Sequence, residues 1–143
     1  MDFLEHVRDE EILANSAKII RIILRDDKHY DRIINMYTEL GNQLLDSLSK
    51  YSFSEVVMAE LLAALRNFTR TPAKVSLISK TNIGTIISLA IHPPNEKIYA
   101  LAAQCLKNMT KVPDYDRHIK QIGGHEVVVI LGGDAVNKFN FKK

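Results

Sequence analysis

Two six-residue stretches of this chain match closely: Ala-Leu-Arg-Asn-Phe-Thr at 64–69 and Cys-Leu-Lys-Asn-Met-Thr at 105–110 share Leu, Asn and Thr at the same positions. At the same shift of 41 residues, 54–90 aligns with 95–131. The identical pairs are Glu55 and Glu96, Ala59 and Ala100, Leu65 and Leu106, Asn67 and Asn108, Thr69 and Thr110, Pro72 and Pro113, and Ile78 and Ile119. The chain therefore contains an internal repeat, which has to be recognised before any single motif is interpreted.

The N-terminal third carries a weaker copy of the same unit. A shift of 45 residues brings it onto the second unit, with identities of Glu10 to Glu55, Ala14 to Ala59, Arg21 to Arg66, Arg25 to Arg70 and Ile33 to Ile78. Three units follow, at about 1–50, 51–93 and 94–143, within a single domain 1–143. A period near 40 residues with helical patterning predicts an all-α fold, an α-solenoid of about three repeats.

Each unit is expected to begin with a long amphipathic helix. The apolar residues recur at the three- and four-residue spacing of one buried helix face. They are Ile12, Leu13, Ala17, Ile20, Ile23 and Leu24 in the first unit, Val57, Met58, Leu61, Leu62, Leu65 and Phe68 in the second, and Ile98, Tyr99, Ala102, Cys105, Leu106 and Met109 in the third.

The residues around these helices predict where the chain turns. Ser54 and Asn95 suit N-caps, and Pro72 and Pro113 suit the first turn of the helix that follows. Two shorter helices then complete each unit, and the pair Gly123-Gly124 provides a sharp corner between them in the third.

The composition is that of an ordinary globular domain. Of 143 residues, 46% are apolar and 25% charged, and 19 Lys and Arg face 17 Asp and Glu. These values argue against a disordered chain and against a strongly basic nucleic-acid binder. With one cysteine, no apolar run long enough for a membrane span and no secretion-like start, we expect a cytoplasmic protein without membrane insertion, the nucleus or cytoskeleton being alternatives.

The repeated segments resemble armadillo repeats. The two six-residue stretches at 64–69 and 105–110 look like the end of the family's third helix. The run 119–131, Ile-Lys-Gln-Ile-Gly-Gly-His-Glu-Val-Val-Val-Ile-Leu, looks like its next first helix, glycine corner and second helix. The HEAT repeat is the nearest confusable fold. The resemblance implies a right-handed superhelix whose third helices line a concave groove that binds an extended peptide.

The resemblance also implies a role for Asn67 and Asn108, which match the family's groove asparagine. A carboxamide offers an acceptor and two donors to the unpaired backbone groups of an extended peptide. Ile22 occupies this position in the first unit, so the row is interrupted there. The alternative is that each asparagine satisfies the turn between helix and loop.

Cations recur beside the asparagine position in every unit and form what we call the basic strip. Arg21, Arg66 and Lys107 come one residue before it, and Arg25, Arg70 and Lys111 three residues after it. Four residues separate the two rows, so both lie on one helical face. Such a strip favours an acidic or phosphorylated protein segment. The alternatives are stabilisation by the helix dipole without any ligand, and RNA, for which the aromatic signature is missing.

The C-terminal edge of the third unit is a second candidate interface. Its apolar residues Val127, Val128, Ile130 and Leu131 are not followed by another long helix. Either the tail, with Phe139 and Phe141, folds back as a cap, or this edge docks on another chain, self-association included, or on missing sequence of a longer array. The second interpretation predicts a structural subunit of a larger assembly, for example a cytoskeletal one. A β-strand at 127–131 is an alternative to the helix.

No motif indicates catalysis. Cys105 falls on the apolar face of its helix, which suits a core residue better than a reactive thiol. The five histidines have no metal-ligand spacing, and no nucleophile triad or carboxylate pair is evident. We therefore expect a non-catalytic adaptor for protein partners, with no cofactor or metal and no nucleic-acid partner.

Overall fold

The computed structural model describes residues 3–132, without the side chains of 3–8, and every regular element in that range is helical. The α-helices are α1 (Phe3–Arg25), α2 (Asp27–Met36), α3 (Leu40–Lys50), α4 (Glu55–Phe68), α5 (Pro72–Val75), α6 (Gly84–Ile91), α7 (Glu96–Met109) and α8 (Pro113–Leu131). A short 3₁₀ helix, Lys80–Asn82, precedes α6. The all-α class is confirmed for this range. The alternative β-strand at 127–131 is wrong, because these residues complete α8.

Side-chain caps and prolines set the helix boundaries as predicted. Ser54 Oγ accepts a hydrogen bond of 3.3 Å from the Val57 backbone N–H, and Asn95 Oδ1 accepts one of 2.8 Å from Ile98. Pro72 begins α5 and Pro113 begins α8, where a missing N–H breaks no intrahelical bond. The second and third long helices, α4 and α7, are consequently the same length, 14 residues each.

The predicted glycine corner is confirmed inside α8. Gly124 has φ +62° and ψ −148°, a backbone conformation that residues with a side chain rarely adopt. At the neighbouring Gly123, a Cβ atom would collide with the Val127 side chain. The two glycines therefore let the chain bend sharply and bring the second half of α8 close to the first.

The long helices α1, α4 and α7 pack side by side in that order. Helix α3 also packs against α4, and α6 packs against α7, so each of these two long helices lies against the preceding long helix and the preceding short one. Helix α8 packs against α6 and α7. The predicted order of one long helix and two shorter ones is seen directly in α1–α3 and α4–α6, and the halves of the bent α8 supply the short pair after α7.

Burial follows this packing order. All twelve predicted core positions of α4 and α7 are buried, with Phe68, Leu62, Leu65 and Leu106 fully enclosed. Helix α1 differs: Ala17 and Leu24 are buried, but Ile12, predicted to lie in the core, is 56% exposed. The prediction for Ile12 is wrong because α1 has a long-helix neighbour on one side and none of the described residues covers its other side.

None of the described helices is both long and apolar enough to cross a membrane. The predicted folding back of the tail with Phe139 and Phe141 lies outside the described residues.

Candidate functional site

The cations of the basic strip sit at the ends of the three stacked long helices. Arg66 and Lys107 lie in the last turns of α4 and α7, and Arg25 is the last residue of α1. Arg70 and Lys111 follow α4 and α7 by two residues. Arg21 lies one turn before the end of α1. Because α1, α4 and α7 are neighbours, the strip has the repeated placement that the sequence predicted, but its members have different partners.

Two of the six cations are neutralised within the chain. Arg21 Nε lies 3.0 Å from Glu60 Oε2 on α4, and both side chains are about one-quarter exposed. Arg70 Nη1 lies 2.9 Å from Asp27 Oδ1, and its guanidinium stacks 4.0 Å from the centre of the Tyr30 ring. The charges of Arg21 and Arg70 therefore mainly stabilise contacts between neighbouring parts of the fold.

The other four cations form no ion pair with a described residue, and we call the three at the ends of α4 and α7 the cationic site: Arg66, Lys107 and Lys111. Arg66 Nη1 donates a 3.1 Å hydrogen bond to Gln104 Oε1, whose amide is neutral. Lys107, half-buried, and Lys111, exposed, form no ion pair within the described part of the chain. Arg25, at the end of α1, is likewise exposed and without an ion pair to any described residue. The positive charge left over is thus concentrated towards the ends of α4 and α7.

The two repeated asparagines bond to the preceding long helix. Asn67 Nδ2 donates to the Arg21 carbonyl at 2.9 Å, and Asn108 Nδ2 donates to the Arg66 carbonyl at 3.1 Å. Asn108 Nδ2 also lies 3.2 Å from Thr69 Oγ1. The same inter-helix hydrogen bond therefore occurs twice, at equivalent positions of the repeat, and joins each long helix to the carbonyl of a residue near the end of the preceding one.

This hydrogen bond was not among the roles predicted for the asparagines. Asn67 is 9% exposed, and the Asn108 amide nitrogen donates to two internal acceptors, so little of either donor faces outward. The repeat spacing contains a signal for this bond, because each asparagine lies one repeat plus one residue after the arginine whose carbonyl accepts the bond. The role in clamping a peptide stays a prediction.

The C-terminal edge is only partly as predicted. Val127 and Ile130 are buried, because they face the core side of α8, whereas Val128 is 47% exposed. Leu131 is half-buried, and Val129, which is not among the residues predicted for this edge, is 54% exposed. The sequence could not distinguish these neighbours because the glycine bend resets which face of the helix points inward.

Beside this edge lies an open apolar cavity of about 640 Å³, which we call the α7–α8 groove. Its walls come from the end of α6, the start of α7 and the second half of α8. The principal lining residues are Ala90, Ile91, Tyr99, His125, Val129 and Ile130. Pro93, Asn95, Glu96 and Glu126 also line the groove, but most of its lining surface is apolar, so its shape suits an apolar helix face better than a charged small molecule.

The remaining polar groups to consider are the Cys105 thiol and the side chains able to bind a metal. Burial raises the pKa of the Cys105 thiol to about 12, although Arg66 opposes the shift, and Sγ donates to the Leu62 carbonyl at 3.4 Å. The thiol is therefore protonated at neutral pH, as expected of a core cysteine. No group of three or more metal-ligating side chains occurs among the residues that the structure describes.

Comparison with protein-family models, with curated proteins and with solved structures finds no match to this chain. The functional interpretation therefore depends on its own geometry.

Proposed function

We propose that the chain is a right-handed, armadillo-like α-solenoid that acts as a non-catalytic adaptor and binds an acidic or phosphorylated protein segment at the cationic site. One observation carries the proposal. Arg21 and Arg70 have carboxylate partners, whereas Arg66, Lys107 and Lys111 have none among the described residues. A partner that supplies anionic groups would complete the same pairing.

The spacing of the helices supports an extended ligand. Packed helices lie about 8–10 Å apart, so Arg66 and Lys107, at equivalent positions of α4 and α7, are separated by roughly one such step. An extended segment advances about 3.3 Å per residue, so acidic side chains two or three residues apart span that step. Arg66 pairs with a carboxylate or phosphate through two parallel hydrogen bonds, and the lysines add point charges.

Cations near a helix C-terminus are also stabilised by the helix dipole, by about 0.3–1 kcal/mol each, without any ligand. Stabilisation by the helix dipole and binding of a ligand predict different results for variants in which a cation is replaced by glutamate. A dipole role alone predicts a small loss of folding stability and no change in affinity for an anionic peptide, whereas the proposed site predicts a large loss of affinity.

The test is fluorescence anisotropy with two labelled extended peptides, one rich in glutamate and one carrying two phosphoserines, with a neutral peptide as reference. We expect both anionic peptides to bind and the neutral one not to bind. Arg66→Glu and Lys107→Glu should each weaken binding about tenfold or more, since a charge-assisted hydrogen bond contributes about 1.5–3 kcal/mol.

Lys97→Glu is the matched control for Lys107→Glu. It makes the same charge change on the same helix, ten residues away, which is about 15 Å along the axis. It should change the affinity less than about twofold. Equal losses in the two variants, or no binding of either anionic peptide, would contradict the proposal. The difference between the two peptides identifies whether carboxylate or phosphate is preferred.

A second candidate function is docking through the C-terminal edge. It is favoured by the exposure of Val128 and Val129 beside the apolar α7–α8 groove. Substitution of Val129 by Glu should abolish such docking without unfolding the chain, because the side chain is already more than half exposed.

A further inference from the structure

The side of α1 that faces away from α4 carries three exposed isoleucines, which we call the α1 face. Ile12, Ile19 and Ile22 are 56%, 58% and 52% exposed. Their spacing of seven and three residues places them in one line along the helix. An apolar line of this kind on a surface helix marks a place where another element packs.

The repeat shows what the equivalent surfaces of the other long helices pack against. In the alignment of the units, Ile12, Ile19 and Ile22 correspond to Val57, Ala64 and Asn67 of α4, and to Ile98, Cys105 and Asn108 of α7. Of these six equivalents, five are buried and Asn108 is half-buried.

The contacts of the equivalents point to the preceding long helix. Cys105 Sγ bonds to the Leu62 carbonyl of α4, Asn67 to the Arg21 carbonyl of α1, and Asn108 to the Arg66 carbonyl of α4. The α1 face is therefore equivalent to the surfaces through which α4 packs against α1 and α7 packs against α4.

The α7–α8 groove offers the opposite half of the same interface. Helix α7 lies against α4, the preceding long helix, and against α6, the preceding short one. The groove is bounded in the same way by α7 and by the second half of α8. A long helix placed in it would repeat the position of α7 one unit further along.

We propose that the α1 face of one copy of this chain packs into the α7–α8 groove of a second copy. The occupant is a second copy because α1 is itself the counterpart of α4 and α7, the class of helix for which such a groove is built. The contacts between α1 and α4 and between α4 and α7 show the geometry that we expect for the contact between the two copies. The two surfaces differ, so the association is head-to-tail and can continue beyond a pair.

This inference deepens the second candidate function and rests on it, since it names the partner of the C-terminal edge; of the cationic site, it involves only Lys107. The template also indicates what weakens the contact. Gln104, which accepts the hydrogen bond from Arg66, corresponds to Lys18, and this would bring Lys18 of one copy close to Lys107 of the other. Ile22 lacks the amide that Asn108 uses. The association should therefore be weak and strengthened by salt, which screens like charges.

The experiment is sedimentation velocity of the full chain from about 10 µM to about 1 mM protein, at low and high salt. We expect the average mass to rise with concentration, and more steeply at high salt. Ile19→Glu and Val129→Glu should each weaken the association about tenfold or more, because either places a charge in the apolar contact. Met36→Glu is the matched control, since Met36 is equally exposed, at 60%, but lies outside the α1 face.

A variant expected to associate more tightly makes the test independent of any loss of folding stability. The double substitution Lys18→Gln with Ile22→Asn gives α1 the two polar groups of α7 and should tighten the association about tenfold. A monomer at every concentration, for both the original chain and this double variant, would overturn the proposal.

Two other outcomes would overturn it as well. One is an equal loss with Met36→Glu, which would indicate non-specific association. The other is sensitivity to Val129→Glu without sensitivity to Ile19→Glu, which would leave docking through the C-terminal edge intact but exclude α1 as its occupant. Peptide affinity at the cationic site serves as the separate readout for the first proposed function.

Discussion

Helices α4 and α1 contain the same repeated pattern and have opposite environments. Ten residues of α4 are buried, including Ala63 and Asn67, whereas the equivalent of Asn67 in α1, Ile22, is 52% exposed. The difference comes from the neighbours: α4 has α1 on one side and α7 on the other, and α1 has α4 alone among the long helices described. A repeat pattern thus specifies the helix and its core-facing residues, but the position in the stack decides how much of the helix is covered.

The strongest test of this contrast compares one large core side chain with one exposed isoleucine. Phe68→Ala in α4 should lower the free energy of unfolding by about 3–5 kcal/mol, because it leaves a cavity in a fully buried site. Ile19→Ala in α1 should change it by less than about 0.5 kcal/mol. Urea denaturation followed by circular dichroism measures both, and similar losses in the two variants would show that α1 is covered as α4 is.

The hydrogen bond between successive long helices provides a second test. Asn67→Ala removes the donor to the Arg21 carbonyl and should cost about 1–3 kcal/mol, because it both loses an inter-helix hydrogen bond and truncates a side chain that is only 9% exposed. Asn15→Ala, at an exposed position of α1, is the control and should be neutral or slightly stabilising, since alanine favours helix. If both variants unfold at the same urea concentration, the Asn67 bond contributes nothing to the stack.

A third test concerns the bend in α8, at the end of the stack opposite α1. Gly124→Ala forces a side chain into a region that glycine alone adopts freely and should cost about 1–3 kcal/mol. Gly84→Ala, where a new Cβ would meet no atom within 4 Å, should leave stability unchanged or raise it by up to about 1 kcal/mol. Thermal unfolding of the two variants side by side checks the difference in sign.

Near neutral pH, the smallest expected change in stability comes from ionisation of the buried thiol at the α4–α7 contact. The pKa of Cys105 is about 12 in the folded chain and near the ordinary value of 9.0 when unfolded. Deprotonation therefore favours the unfolded state, so this contribution to stability is complete below pH 9 and is lost as the pH rises towards 12.

A thiol reagent measures the same burial near neutral pH. At pH 8 the native chain should react at least about 100-fold more slowly than the urea-unfolded chain. Equal rates in the two states would show that α7 does not cover Cys105 against α4.

Much of the fold was predictable from local sequence signals. Ser54, Asn95, Pro72 and Pro113 fix helix ends through their own backbone or side-chain chemistry, and Gly123-Gly124 fix the bend. These features depend on residues a few positions apart, which a single sequence displays directly. The repeat then predicted which positions of α4 and α7 face the core.

The candidate site was less predictable because its partners come from distant parts of the chain. Arg21 and Arg66 occupy equivalent positions, yet Arg21 meets Glu60 and Arg66 meets Gln104, which lie at different turns of their helices. Nothing in the periodicity indicates which charge is neutralised. The burial of Val127 beside the exposed Val128 likewise depends on a bend angle that no spacing rule provides.

The most direct test of the central claim, that an anionic segment binds where α4 and α7 end, is a ¹H–¹⁵N NMR titration with the diphosphorylated peptide. The account predicts that the shifted amide signals cluster around Arg66, Lys107 and Lys111, with the α1 face and the α7–α8 groove unaffected. Shifts concentrated at either of those two apolar surfaces, or none at saturating peptide, would contradict it.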